Sequence, residues 1–141
     1  MCVCCFLIGG DDGLFKGWDI RQDAAVPIFT SKFYDSTVNV WDKRSMKSPI
    51  ISEYIDGSGI WRVKWHPKSQ EKLLVAAMNS GICTLDLSID SKKVNSINQF
   101  TKHQSLGYGA DWNYFGNMDK DIVLSCSFYD KVSYLWESPR L

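Results

Sequence analysis

Only two histidines occur in the chain, His66 and His103, and their scarcity excludes most zinc chemistry. A His-Glu-x-x-His helix is absent, and so is the Gly-x-Ser-x-Gly elbow of many serine hydrolases. Gly9-Gly10-Asp11-Asp12-Gly13 is too short for a phosphate-binding loop, so its glycines are read as serving a turn. No charge of one sign dominates: Lys+Arg and Asp+Glu both number 16. Without a basic stripe, a nucleic-acid footprint is not expected. Long apolar runs are missing too. The run from Cys2 to Ile8 is too short to span a membrane, and it lacks the charged start and small-residue cleavage site of a targeting peptide. The five cysteines are odd in number and lack the two spaced C-x-x-C pairs of a zinc ribbon. They read as reduced, largely buried thiols of a cytoplasmic protein. Neither a metal nor a cofactor is expected.

Aromatic residues are plentiful: six Trp, six Tyr and seven Phe, a composition that favours strands. Helical periodicity is found nowhere. Instead there is a repeat. Trp18, Trp41 and Trp136 each follow an Asp by six positions, namely Asp12, Asp35 and Asp130. A weaker copy has Leu85 in the Trp place and Asn79 in the Asp place. Each copy reads as a strand, a tight polar turn and a second strand. Such repeats mark the blades of a β-propeller.

Four antiparallel strands make a blade, here called a to d from the channel outward. Gly59–Pro67 and Tyr108–Trp112 read as a strands, with Trp61, Val63 and Trp65 alternating on one face. The b strands are placed at Val3–Gly9, Leu73–Ala77 and Ile122–Ser127. The c strands fall at Leu14–Trp18, Thr37–Trp41, Ile82–Leu85 and Lys131–Trp136. The d strands fall near Val26–Thr30, Pro49–Ile55 and Val94–Phe100, where Pro27 and Pro49 suit an outer edge. Trp41 to Leu85 and Leu85 to Trp136 are blade-sized intervals, but Trp18 to Trp41 is about half a blade of ~40–45 residues. Two inner strands are therefore expected to be missing between Lys32 and Phe33. The fold expected is all-β: a propeller fragment of about two complete blades plus partial ones. Its segments are a partial blade at 1–32, a remnant at 33–48, and blades at 49–88 and 89–141. Ring closure needs four to eight blades, so exposed blade edges are expected to pair with another chain.

The turn aspartates invite a catalytic reading, but an Asp in such a turn first serves its backbone. His103, Ser125 or Ser127, Asp130 and Trp136 are expected to form a structural network, while Asp12 and Asp35 hold equivalent turns. His66, in Trp65-His66-Pro67, reads as a turn residue. Trp61 and Tyr108 align at the starts of two a strands, with Arg62 beside Trp61. They form the candidate substrate-binding group, since aromatic faces attract a cation by ~0.5–2 kcal/mol each. Packing between neighbouring blades is the competing role.

Linked words extend along the chain: Gly9-Gly10-Asp11-Asp12-Gly13 with Gly17-Trp18-Asp19-Ile20-Arg21; Phe29-Thr30-Ser31-Lys32; Tyr34-Asp35 with Trp41-Asp42-Lys43-Arg44; Trp61-Arg62-Val63-Lys64-Trp65-His66-Pro67; Tyr108-Gly109-Ala110-Asp111-Trp112; and Cys126-Ser127-Phe128-Tyr129-Asp130 with Leu135-Trp136-Glu137. In this combination the sequence resembles the C-terminal part of the WD-repeat diphthine methyl ester hydrolases of diphthamide biosynthesis. The resemblance implies removal of a methyl ester from methylated diphthine, a modified histidine on translation elongation factor two. That substrate carries a trimethylammonium group, which gives Trp61 and Tyr108 a concrete ligand. It assigns no catalytic nucleophile. A non-enzymatic WD-repeat adaptor is the alternative.

Overall fold

The computed structural model describes residues 5–9, 14–19, 29–32, 36–42, 47–55, 59–69, 71–114 and 120–139, the first three segments as backbone only. All of its regular structure is strand, paired antiparallel in four sheets. The first joins β1 (Cys5–Gly9), β2 (Leu14–Asp19) and β3 (Phe29–Lys32). The second pairs only β4 (Thr37–Val40) with β5 (Ile51–Tyr54). The third is a full blade of β6 (Ile60–Trp65), β7 (Lys72–Ala77), β8 (Gly81–Ser88) and β9 (Lys93–Phe100). The fourth comprises β10 (Gly109–Trp112), β11 (Asp121–Ser127) and β12 (Val132–Ser138).

The expected all-β propeller fragment is thus what folds. The pairing also shows where its blades divide. Each d strand bonds to the c strand before it: β5 to β4, and β9 to β8. The sequence repeats 49–88 and 89–141 begin on those d strands, so they straddle the sheets. The two-stranded second sheet holds a c and a d strand, with no a or b strand among the described residues.

Why these sheets stack is visible in β7, whose six residues are all buried. Side chains alternate across a strand, so β7 supplies two cores. Leu73, Val75 and Ala77 join Cys83, Leu85 and Leu87 against Val38, Val40, Ile51 and Ile55 of the second sheet. Leu74 and Ala76, with Ile82, face Ala110, Trp112 and Val123 of the fourth. A fully buried Leu or Val contributes ~1.5–3 kcal/mol, so these layers dominate the stability of the stack. The turn into β8 depends on Gly81. Its φ is +77°, and a Cβ there would sit 2.5 Å from the Phe100 carbonyl oxygen.

The fourth sheet repeats the third one layer on, and its far side is open. Val123 pairs with Trp136 as Leu73 pairs with Leu85. Leu124 therefore corresponds to buried Leu74, yet it is exposed, and its cross-strand partner Leu135 is 73% exposed. Nothing among the described residues pairs with the outer edge of β12.

Burial also decides cysteine chemistry. Cys83 is enclosed, and burial pushes its thiol up to about 11 against a weaker opposing hydrogen bond from Gln99. Cys126 is exposed. In the native chain a thiol reagent is expected to modify Cys126 within minutes and Cys83 only after unfolding, by peptide mapping. Equal labelling of the two would contradict the packing of β8.

Candidate functional site

At the β11–β12 turn the network expected from sequence takes shape. His103 Nε2 lies 3.0 Å from Ser125 Oγ, and His103 Nδ1 lies 3.3 Å from Asp130 Oδ2. Trp136 Nε1–H donates to Ser125 Oγ at 3.1 Å. Asp130 also accepts from the Val132 and Gln104 amides. Burial alone would raise the Asp130 carboxyl, but these donors and His103 outweigh it and hold the pKa below the ordinary 3.8. The Asx turn fits Lys131, whose φ of +58° the tight turn requires.

Ser125, His103 and Asp130 share the connectivity of a hydrolytic triad. Three observations assign them to the scaffold instead. Ser125 is 1% exposed, so no substrate carbonyl reaches its Oγ. That oxygen already accepts the Trp136 N–H. The His103 ring is enclosed by Phe100 and Tyr134, at 6.0 and 4.9 Å between centroids. A fluorophosphonate probe should leave Ser125 unlabelled in the folded chain; labelling there would make it a nucleophile. Ser127 does not join the network. Its Oγ is buried and finds no hydrogen-bond partner among the described residues. Strand alternation puts Ser125 and Ser127 on one face, but the β11–β12 register places Ser125 opposite Tyr134 and Ser127 opposite Val132, beside the turn. Asp12 and Asp35 lie outside the described residues.

His66 is fixed at the other end of the sheets. Its Nδ1 accepts the amides of Lys68 and Ser69 at 3.2 and 3.0 Å, which completes the turn expected there. The proton must then sit on Nε2, which faces Asp121 Oδ1 at 3.2 Å. With its acceptor nitrogen occupied, His66 is no general base. Asp121 also binds the nearly buried Lys72 Nζ at 2.9 Å, and Lys72 reaches the Pro139 carbonyl and Asp86 as well. This lock ties the third sheet to the fourth.

Trp61 and Tyr108 meet at the turn end of the same two sheets, and Arg62 follows Trp61 in β6. Trp61 and Tyr108 have ring centroids 5.1 Å apart, inclined at 56°. The expected alternation of Trp61 with Val63 and Trp65 does not hold. A bulge lies between Ile60 and Arg62, which pair with Ala77 and Ala76 in turn. The extra residue is Trp61, which packs toward the Ala76 core, while Val63 and Trp65 pair with Val75 and Leu73 on the opposite face. Directly paired residues share a face, so Arg62, opposite Ala76, lies on the same side as Trp61. Trp61 thus takes the packing role weighed for it, and its ring reaches Tyr108 across the two sheets. Tyr108 itself is anchored by its amide on the Cys126 carbonyl at 3.1 Å.

Sequence reasoning missed Phe128. Its ring lies 6.4 Å from Tyr108 and 5.4 Å from Tyr129. Two successive aromatics at a turn that must face solvent were the signal available. Among the described residues, no group of three or more His, Cys, Asp or Glu is placed to hold a metal ion.

Propeller blades with the Asp–His–Ser–Trp linkage define a WD-repeat protein. No protein-family model matches the chain. Among curated proteins it is 34% identical to a diphthine methyltransferase homolog of Dictyostelium discoideum, covering 91% of this chain and 45% of that protein. The human diphthine methyltransferase is 35% identical over 75% of this chain and 28% of its own length. That of Saccharomyces cerevisiae is 30% identical over 84% and 34%. The chain belongs to the diphthine methyltransferase family, and it spans less than half the length of these relatives. The Dictyostelium alignment, at 168 residues, is longer than the chain itself, so the relative carries residues that this chain lacks.

Proposed function

We propose that the chain serves diphthamide biosynthesis, and that its reaction is hydrolysis of the methyl ester of methylated diphthine on translation elongation factor two. Water adds to the ester carbonyl, the C–O bond breaks, and a carboxylate, a proton and methanol leave. The family match over most of the chain carries the reading, and the aromatic group beside Arg62 supports it. Trp61 and Tyr108 would hold the trimethylammonium group, and Arg62 would face the acyl end. The reaction needs an activated water and an oxyanion donor. Ser125 and His66, the two described groups nearest to such roles, are already engaged in the scaffold, so the turn end is a substrate seat and no nucleophile is assigned.

The adaptor reading draws on the open face with Leu124 and Leu135, which suits a protein partner. Methanol release separates the readings. Methylated factor is offered to this chain and to the full-length Dictyostelium relative without any methyl donor. Release by the relative, equal to ester lost, supports hydrolysis. No release by either supports the adaptor, and methyl gain with an added donor would make the relative a transferase.

A further inference from the structure

Phe128 is 72% exposed and Tyr129 beside it 62%, yet neither ring stands alone. Phe128 is inclined at 45° to Tyr108, which rests in turn on Trp61. The Trp61–Tyr108 pair is too close to admit a ligand between its rings. The Tyr108–Phe128 pair, at 6.4 Å and open to solvent, forms a shallow wedge with aromatic walls. Exposed aromatic area of this kind is unfavourable in water unless something covers it. π-faces hold a quaternary ammonium well, because its spread charge costs little to desolvate. The bulge at Trp61 turns Arg62 to the side that carries this wedge. A lone cation would be repelled by Arg62, whereas an ammonium ion bearing its own carboxylate would satisfy both.

We infer that Tyr108 and Phe128, backed by Trp61, form a seat for the trimethylammonium of a betaine-type ligand whose carboxylate pairs with Arg62. This rests on the proposed function, since the product of that hydrolysis has a trimethylammonium next to a carboxylate. It adds Phe128 as a specificity-determining residue and makes the product itself a ligand.

The test titrates the 141-residue chain with glycine betaine and with 3,3-dimethylbutanoate, the same shape without the positive charge, by calorimetry. Betaine is expected to bind about tenfold more tightly than the isostere. Phe128→Leu keeps apolar bulk but removes the π-face, and should lose most of that preference with an unchanged melting temperature. Arg62→Gln should weaken betaine and, by removing a repelling charge, strengthen choline. Equal binding of betaine and isostere would overturn the inference and leave an apolar docking patch. Wild-type betaine binding by Phe128→Leu, or none by the native chain, would overturn it too. Methanol release by the relative without betaine binding here sinks only this inference; betaine binding without methanol release sinks only the hydrolytic reading.

Discussion

Lys72→Met is expected to cost about 3–5 kcal/mol of stability, the penalty for breaking a buried ion pair. Lys72 Nζ lies between Asp121 and Asp86 and also donates to the Pro139 carbonyl, with little of its side chain in solvent. Methionine fills the space but leaves two shielded carboxylates without their cation. Asp121 keeps its contact with His66, which is no substitute for the buried ammonium. The damage reaches past one sheet, because the lock binds β7 to both strands of the β11–β12 hairpin at its open end, where Asp121 pairs with Ser138. Lys72→Met/Asp121→Asn should be less unstable than the sum of the single changes, since the second substitution removes the stranded charge. Urea denaturation of the four proteins reads both effects. Additive losses would mean that the two groups do not act as a pair.

Trp136→Ala is expected to cost about 3 kcal/mol, toward the lower end for a core tryptophan because the side chain is only partly enclosed. Trp136 does two separable things. Its ring stacks on Phe100 at 4.5 Å and 6°, closing the joint between the third and fourth sheets. Its indole N–H completes the acceptor side of Ser125. Trp136→Phe retains most of the stack and loses the donor, a change of about 1 kcal/mol. The order wild type, Phe, Ala in denaturation midpoint is the predicted result. Equal losses for Phe and Ala would place the whole contribution in the hydrogen bond and none in the stack.

Much of this was legible in the sequence because it is local. Period-two alternation and turn residues located β7, β8, β11 and β12 to within a few residues. The six-residue step from Asp130 to Trp136 revealed a turn whose side chains meet across a single hairpin. The half-length interval before Trp41 pointed to the two-stranded sheet. What stayed hidden depends on pairing between distant segments. β3 reaches Lys32, past the Thr30 end expected from sequence, because its position is set by register with Leu14–Gly17; residues 26–28 of that expected strand lie outside the described residues. The bulge at Trp61 appears only when β6 is laid against β7. Lys72 reads as an ordinary charged strand start until Asp121 arrives from 49 residues away. Phe128 looks like any turn aromatic until the loop before β10 brings Tyr108 to it.

The most direct test of the account is made on the substrate itself. In the full-length Dictyostelium relative, the counterparts of Trp61 and Tyr108 are replaced together by alanine, and methanol release is followed against concentration of the methylated factor. Two aromatic contacts of this kind predict a KM raised by about tenfold or more, beside a lowered melting temperature because Trp61 also packs against the core. An unchanged KM in a folded double variant would put the substrate somewhere else on the protein.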